Sequence, residues 1–421
     1  MKFRKILSCL MAVGSLTGLT ACGSAQEIPV QNQNLTSSVA RQEISVTDVK
    51  PDFHDAQMQF AVKLFQETVS RNQAENTLVS PLSVMLALSM TANGADNQTK
   101  SQMEAVLGDS IENLNQNLYS YVQKLPSSNK AKLSIANSIW VKDDGMTEIK
   151  PDFLQADADY YQADVYQEDF SQQTCDNINA WVRKHTDNMI DSIIDGINPD
   201  AFMYLINALA FDAKWREPYE ESKVHDGRTF TNAEGIQKEV TMMTSSENSY
   251  LKSEQAVGFI KPYVEGYSFA ALLPNENLNI DDYISSLDAS GLSEILNNAQ
   301  DTEVIASMPR FKSEFGTLLN DILQSMGMTD AFIQETADFS RMSNQTGAYI
   351  GNVIHKTYIE VDEHGTKAAA VTAVEMDNEA IVEIFEPKLV TLDRPFVYMI
   401  IDNETQLPVF IGTVKDTGTV S

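Results

Sequence analysis

Glu363-His364-Gly365-Thr366-Lys367-Ala368-Ala369-Ala370-Val371-Thr372-Ala373-Val374 is the stretch on which the fold turns. Its residues are small and weakly committed to any one backbone. Counted with the period of two that a strand imposes, Thr366, Ala368, Ala370, Thr372 and Val374 share one parity, and none is charged. Lys367, Glu375, Asp377 and Glu379 all take the other parity. The segment suits a sheet with a small neutral face buried and a charged face in water. Yet it opens at Gly365 and runs on into Glu375-Met376-Asp377-Asn378-Glu379, which reads as an exposed loop. A loop carrying a strand's alternation suggests a segment with two states. Pattern alone is equally served by an ordinary half-buried strand, or by a poorly capped helix favoured by the alanines.

Upstream of this stretch the punctuation is helical. Phe60, Ala61, Leu64, Phe65, Thr68 and Val69 recur at helical spacing. Ser80-Pro81 offers an N-cap and a first-turn proline, and Gly94 a stop. Thr99-Lys100-Ser101-Gln102 reads as a capping box leading into Met103, Val106 and Leu107, with Gly108 closing the helix. Ile178, Trp181, Val182, His185 and Met189 make a further amphipathic pattern. Short apolar runs at 133–141, 204–211, 269–273 and 397–401 suit buried strands. Helices dominate the first part and strands the last, an α+β arrangement.

The chain has 421 residues, 43% hydrophobic and 21% charged, with a formal net charge of -29. Such a surface repels nucleic acid and anionic lipid, and serves solubility. The first residues read as a secretory signal: Lys2, Arg4 and Lys5, then an apolar stretch from Ile6 to Leu19 too short to span a bilayer. Leu19-Thr20-Ala21-Cys22-Gly23 looks like a lipobox, the site at which bacterial lipoproteins are diacylated and cut, so 1–21 would leave and Cys22 would carry lipid. A plain signal peptide that happens to contain a cysteine is the other reading. The stretch from Gly23 to about Lys50 is polar and reads as a flexible tether, with the folded domain running over 51–421. Of the three cysteines, Cys9 departs with the signal and Cys22 is lipidated, which leaves Cys175 without a disulfide partner.

Signals for an enzyme are weak. The five histidines show no zinc-ligand spacing with a nearby acid. No Gly-x-Ser-x-Gly elbow and no phosphate-binding glycine loop is present. Ser127-Ser128-Asn129-Lys130 matches a Ser-x-x-Lys string but follows Pro126 in a polar stretch, where a turn is expected. No catalytic residue, metal ligand or cofactor site is assigned.

Val361-Asp362-Glu363-His364-Gly365-Thr366 followed by the alanine run resembles the reactive-loop hinge of the serpins. The resemblance extends along nearly the whole chain after about residue 55. It includes Ser80-Pro81-Leu82-Ser83-Val84 with Gly94-Ala95, Ala136-Asn137-Ser138-Ile139-Trp140, and Asn207-Ala208-Leu209-Ala210-Phe211 with Trp215. Pro309-Arg310-Phe311, Met326-Gly327-Met328, Ala337-Asp338-Phe339-Ser340, Asp393-Arg394-Pro395-Phe396 and Val409-Phe410-Ile411-Gly412 follow in the family's order. What this resemblance implies is a single domain with three β-sheets, about nine helices and an exposed reactive-centre loop over about 363–385. The hinge would be Glu363, Gly365, Thr366, Ala368, Ala369, Ala370 and Thr372. Ser80, Ser83, Asn207 and His355 match the shutter, the polar cluster where the main sheet parts. Trp215, Arg310 and Glu363 match the breach, where the loop first enters, with an Arg310–Glu363 ion pair expected there.

The implied function is suicide inhibition of serine proteases, through a covalent 1:1 complex formed by a monomer, with no cofactor and no nucleic acid. Counting along the family pattern from Glu363 sets the reactive bond at Glu379–Ala380. Ile381 and Val382 follow directly, and a small shift would suit elastase- or subtilisin-like enzymes, the favoured targets. The lipid on Cys22 would hold the protein at the cell envelope, facing outward or into a periplasm. His364 and Lys367 depart from the family pattern, although the parity of Lys367 is that of the solvent face. The rival readings are a non-inhibitory serpin acting as carrier or chaperone, which the small hinge residues disfavour, and a solute-binding lipoprotein, for which the two-lobed α/β alternation is missing.

Overall fold

The structure, a computed structural model, describes residues 34–73, 75–366 and 386–418. In chain order the elements are α1 (Pro51–Arg71), β1 (Leu78–Val79), α2 (Pro81–Ala92), α3 (Asn97–Leu107), α4 (Ile111–Lys124), β2 (Ala131–Lys142), α5 (Pro151–Ala156), β3 (Asp164–Glu168), α6 (Gln172–His185) and β4 (Met203–Lys214). There follow β5 (Val224–Thr231), β6 (Gln237–Lys252), β7 (Ala256–Pro262), β8 (Tyr267–Pro274), α7 (Ile280–Ser286), α8 (Ala289–Asn297), β9 (Gln300–Pro309), β10 (Phe311–Leu318) and α9 (Asn320–Met326). β11 (Ile350–Val361), β12 (Gly365–Thr366), β13 (Lys388–Thr391), β14 (Phe396–Asp402) and β15 (Pro408–Val414) close the chain.

The main sheet has six strands in the order β10-β11-β12-β4-β2-β3. The larger sheet runs β1-β15-β14-β8-β7-β6-β9-β13, with β5 paired on β6. β6 is long enough to serve both halves of it: Gln237–Met243 pairs with β5, Met242–Tyr250 with β9, and Ser249–Lys252 with β7. With the two halves counted separately the sheets number three.

Two apolar clusters cover the two faces of the main sheet, and β4 contributes to both. Met203, Leu205, Leu209, Phe211 and Ala213 join the large core against α2 and the larger sheet. Tyr204, Ile206, Ala208 and Ala210 join a second cluster under Ile178, Trp181 and Val182 of α6. A strand covered on both faces reads as a continuous apolar run rather than an alternation, which is why 204–211 carries no period-two signal.

Helix ends follow local chemistry. Ser80 caps α2 through its Oγ, which accepts from the Ser83 N–H at 3.2 Å. The capping box expected at Thr99 is not one. α3 begins at Asn97 with Asp96 as its cap residue, and the buried Thr99 hydroxyl oxygen accepts instead from the Asp338 N–H at 2.9 Å. Gly108 does close that helix, at φ 86, and a Cβ there would lie 2.8 Å from Ala56 Cβ. α6 stops at His185, short of Met189, because Asp187 and Asn188 take positive φ. Ser127–Lys130 forms a turn in which Ser128 Oγ accepts from the backbone of Lys130 and Ala131.

The expected tether needs a correction from Asn34 onward. Asn34 bridges to Tyr166 on the edge strand β3, and its side chain donates to Asp164 Oδ1 at 2.7 Å. Buried Thr36 donates to the Ala163 carbonyl at 2.8 Å, and the N–H groups of Gln42 and Thr47 are held by Asp159 and Ser120. Polar residues read as tether from composition because composition does not count hydrogen bonds. Here they satisfy an exposed strand edge and the surfaces beside it. Cys175 is buried at 1% exposure, and burial pushes its thiol pKa up, as befits a packed residue rather than a nucleophile.

Candidate functional site

The site is the seam between β11 and β4. From Ile350/Met203 to Tyr358/Ala210 these strands pair directly and in parallel. Above that, β12 lies between them, antiparallel to both: Thr366 is opposite Val361 on one side and Ala213 on the other. The chain turns back from β11 into β12 at 362–365, and Asp362 holds that turn. Its Oδ1 accepts from the N–H groups of His364 and Gly365 at 2.7 and 3.1 Å. Half-burial pushes the Asp362 carboxyl pKa up, while those two N–H donors oppose the shift. Gly365 is required by space: a Cβ would lie 2.1 Å from the Ala213 carbonyl oxygen.

At the upper end of the seam the polypeptide is clamped. The Trp215 N–H donates to the His364 carbonyl and the Tyr219 N–H to the Glu363 carbonyl, both at 3.0 Å. The Trp215 indole donates to the Asp362 carbonyl at 2.8 Å and stacks on Tyr263 with centroids 4.3 Å apart. Tyr263 in turn shares a 2.6 Å hydroxyl hydrogen bond with Thr366, which is fully buried. Arg310 Nη2 meets Glu363 Oε1 at 2.5 Å. So Trp215, Arg310 and Glu363, far apart in sequence, converge on the hinge, joined by Tyr263 and Asp362.

Midway along the seam lies a buried polar cluster. His355 and Asn207 are Cα partners across the β11–β4 pair. His355 Nε2 accepts from the Ser80 N–H at 3.1 Å, so the proton sits on Nδ1, which donates to Asn207 Oδ1. The Asn207 amide donates to Ser83 Oγ and to Asn137 Oδ1. Ser83 Oγ also reaches Asn137, at 3.3 Å. The network links α2, β11, β4 and β2, and each polar atom named has a partner, as burial requires. Asn137 was not singled out from sequence. Its position opposite Asn207 in the β2–β4 ladder is the signal, visible only once the strands are registered.

Ala368, Ala369, Ala370, Thr372, Lys367, Glu379, Ala380, Ile381, Val382 and Cys22 lie outside the described residues. Among the described residues no group of three or more His, Cys, Asp or Glu side chains is arranged to hold a metal ion.

Comparison with known proteins agrees with this architecture. The family model described as "Serpin (serine protease inhibitor)" matches residues 55–417. The chain is 29% identical over 365 residues to a serpin-like protein of Thermococcus kodakarensis, covering 85% of this chain and 84% of that one. The native-state crystal structure of tengpin, a thermophilic serpin, superposes with a TM-score of 0.87 at 46% identity, covering 92% of this chain and all of tengpin. The latent-state structure of tengpin gives 0.77 at 44% identity, covering 88% of this chain and 99% of that one. The chain belongs to the serpin family, whose members are typically protease inhibitors rather than catalysts.

Proposed function

We propose that this serpin is a suicide-substrate inhibitor of serine-type endopeptidases, with elastase- or subtilisin-like enzymes as its targets. The observation that carries the reading is β12, a strand seated at the mouth of a seam that its own continuation would fill. Stepped on in the same register, Ala368 would face Phe211 and Ile359, Ala370 would face Leu209 and Thr357, and Thr372 would fall between Asn207 and His355. Both ladders give the same assignment. The residues that would be buried are alanines and threonines, small enough to enter without a large barrier.

The chemistry follows from the loop being a substrate. A protease serine attacks the carbonyl at Glu379–Ala380 or one of the next bonds, through Ile381 and Val382. The new amine leaves on the C-terminal fragment, and the acyl ester stays on the loop. Freed at that end, the hinge zips between β11 and β4. One parallel pairing gives way to two antiparallel ones, which adds ladder hydrogen bonds at about 0.5–1.5 kcal/mol net each. The acyl-enzyme is carried along and its catalytic geometry distorted, so deacylation stalls in a covalent 1:1 complex. The uncut state is held by its barrier rather than by lying lowest in energy.

Ser80, Ser83, Asn207 and His355, with Asn137, act as the shutter that must open. Trp215, Arg310 and Glu363 act as the breach that holds the pivot. Lipid on Cys22 retains the monomer at the cell envelope, facing outward or into a periplasm. Incubation of the purified domain with a panel of serine proteases tests the reading. An SDS-stable band at the combined mass supports it, and cleavage of the loop by every enzyme without such a band contradicts it.

A further inference from the structure

Beneath the clamp on the hinge lies a charged pair that the mechanism above leaves unused. Lys261 on β7 and Glu247 on β6 are 1% and 7% exposed, and the ammonium meets Glu247 Oε1 at 2.7 Å. Lys261 Nζ also donates to the Glu217 carbonyl at 3.0 Å and lies 3.4 Å from Ser245 Oγ. Ser245 Oγ donates to the same Glu247 oxygen at 2.6 Å. The ammonium sits 4.4 Å from the centroid of the Tyr219 ring and 5.5 Å from that of Trp215. Burial pushes its pKa down, and the Glu247 carboxylate opposes that shift. A buried pair of this kind gives little net stability, because desolvating two charges offsets their attraction. Its consequence is geometric. The Glu217 carbonyl and the Tyr219 ring belong to the turn 215–219, the same turn whose N–H groups hold the carbonyls of Glu363 and His364. One ammonium therefore pins from below the turn that grips the hinge from above.

We propose that the Lys261–Glu247 pair is a positioning element for loop insertion. It fixes the turn 215–219, and through it the pivot at Glu363–His364 from which the hinge feeds into the seam. The inference rests on the inhibitory reading given above. A strand slipped by one residue turns every side chain to the wrong face, which here would drive Lys367 into the core. A fixed pivot admits one register. A loosened one admits others, each of which must be undone before insertion proceeds, so insertion slows while deacylation does not. An apolar pair of similar volume can restore packing, but it cannot donate to the Glu217 carbonyl. Stability and positioning are therefore separable.

The test nicks the loop of the full domain with a protease and follows two quantities: the rate at which heat resistance is gained, and the stoichiometry of inhibition of a trapped protease. Lys261→Met alone leaves Glu247 buried and unpaired, and is expected to lose both heat stability of the uncut form and insertion rate. The double variant Lys261→Met, Glu247→Leu is expected to recover the melting temperature of the uncut form yet insert about tenfold more slowly, with a raised stoichiometry. A double variant that recovers both melting temperature and insertion rate overturns the proposal, since the pair would then be structural alone. Should the double variant not fold, the alternative apolar pair Lys261→Leu, Glu247→Met removes the same donor to the Glu217 carbonyl with a different packing. Wild-type insertion in that variant likewise overturns the proposal, and slowed insertion sustains it. If the wild-type chain gains no heat resistance on nicking, the inhibitory reading falls and takes this inference with it. If the wild type inserts and the double variant keeps pace, this inference falls alone.

Discussion

His355 Nδ1 donates to Asn207 Oδ1 across the one strand pair that an inserted loop would have to separate. His355 is fully buried, and burial pushes its pKa down from 6.5 to about 3. Its Nε2 already accepts the Ser80 N–H, so a second proton would also cost that bond. Between pH 6.5 and 3 the unfolded chain binds a proton that the native state refuses. Native stability should therefore fall as pH drops through that window, by up to about 1.4 kcal/mol per unit from this group, and be indifferent to it above 6.5. His355→Gln should be less stable at pH 7.5 by about 1–3 kcal/mol for lost hydrogen bonds, but flatter between pH 6.5 and 4.5. Melting temperatures of both proteins across that range decide it, and parallel curves would count against the assignment.

Asp157 works in the opposite sense. It is wholly buried between α5 and β3, neither carboxyl oxygen has a hydrogen-bond partner among the described residues, and burial raises its pKa well above the usual value. The native state keeps a proton that the unfolded chain releases above its ordinary pKa, so this group removes stability as pH rises from about 4. Asp157→Asn should raise stability at pH 7 more than it does near pH 4. Denaturant midpoints at the two pH values give the contrast; an equal shift at both would mean the carboxyl is ionised in place.

Thr366 and Lys367 are neighbours with opposite expectations. Thr366 is already buried against Tyr263 in the uncut form, so Thr366→Arg should expel β12 from the seam, and insertion must then carry the charge back in at an effective cost of several kcal/mol. Each 1.4 kcal/mol carried by the insertion barrier slows insertion about tenfold. That variant should be cut and released as a substrate. Stepped on in the same register, Lys367 would fall opposite the part-exposed Asp212, so Lys367→Gln should leave the stoichiometry of inhibition within about twofold of wild type. Covalent complex at the wild-type ratio for Thr366→Arg would show that the loop does not insert in this register.

The anchor is tested independently of the fold. Mature protein should begin at a diacylated Cys22 and sediment with membranes, and Cys22→Ser should release it to the soluble fraction. A free, unmodified N-terminus elsewhere, seen by mass spectrometry, would remove the anchor from the account.

Local signals in the sequence located elements well. Ser80-Pro81 and Gly108 mark helix boundaries that recur in the structure, because caps and left-handed turns are decided within a few residues. Thr99 misled because its hydroxyl is taken by Asp338, a partner 239 residues away that no local pattern reveals. The even and odd residues of β4 gave no alternation because both faces are covered. The site residues were legible only through the family resemblance. Ser80, Asn207 and His355 carry no shared motif and meet only when β11 lies beside β4. Lys261 was invisible for the same reason: an isolated lysine before Pro262 reads as surface, and only the packing of β6 against β7 shows it buried beside Glu247.

The most direct measurement is the crystal structure of the chain after its loop has been nicked. The account predicts a new strand running from Gly365 past Val374 between β11 and β4, antiparallel to both, with Thr372 between His355 and Asn207 and the bond between those two side chains gone. A nicked chain in which Ile350–Tyr358 still pairs directly with Met203–Ala210 would contradict it.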